Sequence, residues 1–108
     1  MQRQDVLNRA SEMIDGARQD TYGDPAESFA RAAQIWSAIL GTPVSPAQVA
    51  MCLAGVKLSR LAHTHDHEDS WVDLAGYAAV GAEVAARYRA AEGDPSGVEG
   101  ALPTDEEE

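Results

Sequence analysis

A single cysteine, a single phenylalanine and an aromatic share of 6% leave this chain of 108 residues short of the groups that usually staple or fill a small core. One cysteine, Cys52, excludes an intramolecular disulfide and any cysteine-rich metal site. It stands in the apolar run Val49–Val56, where a thiol is expected to be buried and to act as a small hydrophobe. β-Branched and aromatic strand builders are sparse beside twenty alanines and many Leu, Arg, Gln and Glu, so an all-β fold is close to excluded. The longest strongly apolar stretch, Ala47–Val56, is about half what a bilayer span requires. The first twenty residues carry charges throughout and no apolar signal segment, so a soluble, cytoplasmic protein with no membrane partner is expected. No Gly-rich phosphate loop, serine nucleophile elbow or Cys/His pair occurs, which removes P-loop, α/β-hydrolase and thiol-protease chemistry.

Basic residues are few as well, and their distribution matters more than the net charge of −10. Residues 92–108 hold seven acids and no base, whereas residues 1–91 hold eleven acids against eight scattered bases. A grip on duplex nucleic acid needs a clustered basic surface, so nucleic acid is disfavoured as a partner. Two regions follow: a helical domain over residues 1–92, and a tail over 93–108 whose Gly, Pro and acids lack periodicity and are expected to be disordered.

What is present is helical periodicity, in four segments. Val6, Leu7, Ala10, Met13, Ile14 and Ala17 form one stripe of a helix from about Gln4 to Arg18. Asp24 as N-cap, Pro25 at the first helical position and Glu27 at the third open a second helix reaching about Leu40, with Phe29, Ala32, Ala33, Trp36 and Ile39 or Leu40 inward. Ser45-Pro46 opens a third by the same device, running to about His63. It is apolar nearly all round and therefore expected to be the central buried helix. Asp69 or Ser70 is expected to cap a fourth of about twenty residues, with Trp71, Leu74, Ala75, Ala78, Val80 and Val84 apolar. The fold class is thus all-α, a compact four-helix bundle-like domain. Gly76, Ala79, Gly81, Ala82 and Ala85 allow close helix approach but make a thin core, so a homo-oligomer is expected.

Some residues fit poorly with structure alone. Lys57, Arg60 and then His63 and Thr64 put cationic and polar groups on one stripe of the apolar third helix, where unpaired burial is prohibitive. Asp69 and Asp73, four apart on one face that continues through Gly76 and Tyr77, can answer them as ion pairs or share a metal and phosphate site with them. The turn Asp20-Thr21-Tyr22-Gly23-Asp24-Pro25 offers an aromatic ring, a glycine and a carboxylate at a helix start, although Asp24 also serves as a plain cap and Glu27 with Arg31 as a surface pair. His63, His65, Asp66 and His67 suggest a metal cluster, but alternate histidines in a short linker need a rigid frame to converge. Glu12 and Asp15 read best as a solvated face.

The order of these features, Asp20-Thr21-Tyr22-Gly23-Asp24-Pro25-x-Glu27-x-Phe29, Lys57-x-x-Arg60-Leu61-x-His63 and Asp69-Ser70-x-x-Asp73-Leu74-x-Gly76-Tyr77-Ala78, resembles a family of small, largely uncharacterised bacteriophage and prophage proteins. These in turn look like distant members of the all-α MazG-like nucleoside triphosphate pyrophosphohydrolases, over about residues 5–88. The resemblance implies Mg²⁺ held by Glu27, Asp69 and Asp73 with Asp24, and a catalytic role for the first three. It implies Lys57, Arg60 and His63 toward phosphate, Tyr22 or Tyr77 on base or sugar, and conversion of a (d)NTP to (d)NMP and pyrophosphate in phage nucleotide metabolism. The location would then be the host cytoplasm. Hard oxygen ligands suit Mg²⁺, and a bound water can be the nucleophile. Where that group shows Glu-x-x-Glu and Glu-x-x-Asp, this chain has Asp24-x-x-Glu27 and Asp69-x-x-x-Asp73. The alternatives are therefore a non-catalytic protein that sequesters a nucleotide or cyclic nucleotide, and a host-protein-interacting module.

Overall fold

Two Asp/Ser-Pro starts and two glycine stops, Gly16 and Gly41, set most of the helix boundaries. The structure, a computed structural model, describes residues 1–16 and 23–92. It places four helices: α1 (Arg3–Asp15), α2 (Pro25–Leu40), α3 (Pro46–His63) and α4 (Glu68–Glu92). Among the described residues there is no strand. Asp24 caps α2 by accepting from Ala26 N at 3.1 Å. Ser45 and Gln48 close a reciprocal box on α3, with Ser45 Oγ accepting from Gln48 N at 3.1 Å and Gln48 Oε1 from Ser45 N at 2.9 Å. No described helix is long and apolar enough to cross a membrane. The tail over 93–108 lies outside the described residues.

Two boundaries differ from the sequence reading. α1 stops at Asp15, three residues before Arg18, because the chain leaves the helix at Gly16. There a Cβ would stand 2.6 Å from the Glu12 carbonyl oxygen, a contact no other residue type escapes. α4 starts at Glu68 rather than after an Asp69 or Ser70 cap, with Trp71 N donating to the His67 carbonyl and Ser70 drawn into the core at 1% exposure.

The central helix is α4, not α3: α4 packs against α1, α2 and α3, and its most extensive contact is with α3. Small residues explain the exchange. A Cβ at Gly81 would meet Ala50 Cβ at 3.0 Å, so the α3 and α4 backbones approach as closely as a missing side chain permits. The enclosed side chains are correspondingly slight: Ala10, Ala26, Ala33, Val49, Ala50, Leu61, Val72, Val80 and Val84. Half-buried Ile14, Phe29, Ala47 and Tyr88 pack over Ala26, Val80 and Val84. α3 uses one side for this core and leaves Met51, Val56 and Leu58 exposed on the rest. Cys52 is exposed too, contrary to the expectation of burial, since it turns away from the side carrying Val49 and Ala50. Ile39 and Leu40, expected inward, are exposed at the end of α2, and so are Leu7 and Trp71.

Candidate functional site

A cavity of about 300 Å³ opens where the end of α1, the start of α2 and the middle of α4 meet. Local sequence explains each wall. Asp24 and Pro25 fix the first turn of α2 and so aim Phe29, one turn later, at α4. On α4, Asp73, Gly76, Tyr77 and Val80 recur at three- and four-residue spacing and share the lining face. Met13 and Ile14 close the α1 side, and Gly23, with a positive φ of 85°, turns the backbone at the rim. Phe29 and Tyr77 stand with ring centroids 6.2 Å apart and planes tilted by 47°, within the favourable range for an aromatic pair.

One charge belongs to this mainly apolar cavity, beside Ser28 and the Tyr77 hydroxyl. Asp73 Oδ2 lies 2.9 Å from Lys57 Nζ, and both side chains are largely enclosed, at 21% and 13% exposure. This is one of the interhelical pairings the sequence allowed, and it holds the carboxylate in a fixed orientation beside the rings. Lys57 is also the only lysine in the chain.

The other predicted acids are dispersed. Asp69 turns toward α1, where its Oδ1 accepts from Arg9 Nη2 at 2.7 Å, and Glu68 lies 3.7 Å from the same guanidinium. Asp24, besides its capping bond, faces Arg87 at 3.6 Å, and Arg87 donates to Glu83 at 2.6 Å. The Arg87 guanidinium is held above its ordinary value: desolvation, the largest single influence, lowers it, and the Tyr88 hydrogen bond together with the charges of Glu83, Asp24 and Tyr88 outweighs that. Glu27 is exposed on the outer side of α2, and no ion pair joins it to Arg31 among the described residues. Among the described residues no three His, Cys, Asp or Glu side chains converge on a point where a metal ion would sit. Glu12 and Asp15 are exposed, in keeping with a solvated face. Tyr22 lies outside the described residues.

Arg60 and His63 line a second, open cavity of about 410 Å³ with Ser59, Thr64 and His67, where α3 turns into α4. No carboxylate among the described residues reaches ion-pair distance of Arg60, because Glu68 and Asp69 are drawn to the α1 side. Two of the three histidines are held separately: His65 Nδ1 lies 2.8 Å from the Leu61 carbonyl, and His67 Nδ1 lies 2.8 Å from Ser70 Oγ. Trp71 Nε1 donates to the His65 carbonyl at 2.8 Å, which fixes the turn.

The structure therefore brings together Lys57, Asp73 and Tyr77 at the first cavity and Arg60 with His63 at the second. It leaves Asp24, Glu27 and Asp69 apart from both. Phe29, not assigned to the site beforehand, was marked in the sequence as an inward residue of the second helix and as the end of the Asp20–Phe29 motif. Thr64 and His67 were marked, the first on the polar stripe with Arg60 and the second in the histidine cluster, whereas Ser59 carried no signal. The first cavity can enclose a flat ring and offer it a carboxylate acceptor. The second can offer cationic and hydroxyl donors to an anion.

Residues 5–85, well over half the chain, match the family described as a domain of unknown function, DUF6378. The chain is similar to the Gene 55 protein of Mycobacterium phage L5, at 38% identity over 76 residues, covering 69% of this chain and 49% of that protein. It is also similar to the Gene 55 protein of Mycobacterium phage D29, at 37% identity over 73 residues, covering 68% and 48%. The chain thus spans about half the length of the curated relatives it matches. No solved structure matches it. The matched stretch takes in the cavity residues from Met13 to Val80, and by it the chain belongs to the DUF6378 family of phage-related proteins.

Proposed function

We propose that this domain binds a nucleotide, with the base in the aromatic cavity and the phosphates directed to the cationic end of α3. The observation that carries the reading is the double role of Asp73, which lines the cavity beside Phe29 and Tyr77 while Lys57 holds its carboxylate at 2.9 Å. An apolar slot with one fixed acceptor suits a planar heterocycle that donates N–H bonds. Arg60, one helical turn beyond Lys57, and His63 supply donors of the kind a phosphate accepts. The setting is phage nucleotide metabolism in the host cytoplasm, and the protein works as a homo-oligomer because the largest fully enclosed side chains are valines and one serine.

The four acids assigned to Mg²⁺ do not fit a shared ion in this arrangement. Asp24 and Asp69 are committed to arginines, Glu27 is exposed, and only Asp73 faces the cavity. Binding without turnover is the favoured reading. Hydrolysis of (d)NTP to (d)NMP and pyrophosphate is the second reading, favoured by one observation: Asp73, an acid the MazG-like resemblance assigns to catalysis, does line the cavity.

The test is calorimetric titration of the full chain with standard and modified dNTPs, NTPs and cyclic nucleotides, with and without Mg²⁺, alongside a pyrophosphate-release assay. Metal-independent binding that Tyr77→Ala abolishes in a folded variant supports the first reading. Mg²⁺-dependent pyrophosphate release lost in Asp73→Asn establishes the second. Absence of both in folded protein removes the nucleotide proposal.

A further inference from the structure

Met51, Gly55, Leu58 and Ala62 follow one another on α3 at spacings of four, three and four residues, so they form a single stripe along nearly three turns. All four are exposed, Met51 at 63% and Leu58 at 54%, and the stripe lies on the side of α3 away from buried Val49, Ala50 and Leu61. The order along it is large, small, large, small.

That order is self-complementary in one orientation only. With a second α3 antiparallel and a two-fold axis passing between Val56 and Lys57, Met51 falls opposite Ala62 and Leu58 falls opposite Gly55. Each bulky side chain then meets a gap on the other helix, as knobs meet holes. A parallel pairing would set Leu58 against Leu58 and leave a void between the two glycines. The flanking exposed positions Gln48, Cys52 and Ser59 are neutral, so no like charges oppose the approach. Among the described residues, α2 and α3, which pack on each other, together carry six of the nine exposed large apolar side chains. Met51, Leu58 and the flanking Gln48, Cys52 and Ser59 are all exposed, so this face of α3 is uncovered in the single chain.

We infer that the occupant of this stripe is a second copy of the chain, docked α3 against α3 in antiparallel fashion. The inference rests on the homo-oligomer reading above and is independent of any nucleotide. Gly55 gives it a clean test, because nothing lies within 4 Å of a Cβ built there. Gly55→Leu is harmless in the protomer and improves helix propensity, yet it fills the hole that Leu58 of the other copy requires.

Sedimentation velocity of the full chain from low micromolar to submillimolar concentration reads the outcome without added ligand. The native chain is expected to dimerise. Gly55→Leu and Leu58→Arg are each expected to weaken self-association at least about tenfold, with helical circular dichroism retained. A native chain that stays monomeric throughout overturns the inference, and so does a dimer that persists in Gly55→Leu, since the contact would then lie elsewhere. Should Leu58→Arg fail to fold, Gly55→Leu alone decides.

Discussion

A Cβ built on Gly81 would stand 3.0 Å from Ala50 Cβ, and this near-contact sets how closely α3 and α4 run together. Gly81→Leu must force the helices apart and is expected to cost about 1–3 kcal/mol. Gly76 sits in the same helix but faces only Ile14 Cγ2 at 3.8 Å, so Gly76→Ala is expected to be neutral or to stabilise by about 0.5–1 kcal/mol. Urea unfolding of the two variants checks the contrast. A Gly81→Leu protein as stable as the parent would mean that the helices are not in close register at this point.

The Lys57–Asp73 pair combines structure and site, and a double-mutant cycle separates the two roles. Asp73→Asn leaves the ammonium without its carboxylate in a mostly enclosed position and is expected to lower stability by about 1–3 kcal/mol. Lys57→Met with Asp73→Asn is expected to recover most of that loss. If the carboxylate also receives a nucleobase, the double variant remains unable to bind nucleotide although its melting temperature returns. Recovery of binding together with stability would show that Asp73 serves the fold alone.

Asp69 offers the opposite case. Its side chain is 71% exposed and its partner Arg9 43%, so solvent screens the pair. Asp69→Asn is expected to change stability by less than about 1 kcal/mol and to leave nucleotide affinity unaltered. A selective loss of Mg²⁺-dependent turnover in this variant would restore the carboxylate to a catalytic role.

Arg87 sets a pH expectation. Because its guanidinium is held above its ordinary value in the fold, its contribution is complete below that value and is lost only as the pH rises through strongly alkaline solution. The difference in melting temperature between the native chain and Arg87→Ala is therefore expected to stay constant between about pH 6 and pH 9. A difference that drifts within that window would point to another titrating partner.

Local chemistry was legible in the sequence wherever it is local in the fold. The starts of α2 and α3 fall at Pro25 and Pro46 because a capping side chain and a proline act within one turn. The ion pairing of the third and fourth helices was legible as a set of choices, and the structure selects Lys57 with Asp73. Rotation about a helix axis was not legible. Asp69 and Asp73 share a face by spacing, yet at the first turn of α4 the nearest cation is Arg9 on α1, so the two acids part. The same limit made α3 look central, since an apolar circumference does not say which neighbour covers it. Ile39, Leu40 and Cys52 were misplaced for this reason.

With one lysine among these 108 residues, Lys57 is the single side-chain address for amine chemistry along them. The lysine is held by Asp73 at 13% exposure, so an acylating reagent reaches it only when the seam between α3 and α4 loosens. The rate at which Lys57 is modified thus becomes a clock for breathing of the two helices, and any ligand that fills the neighbouring cavity slows it.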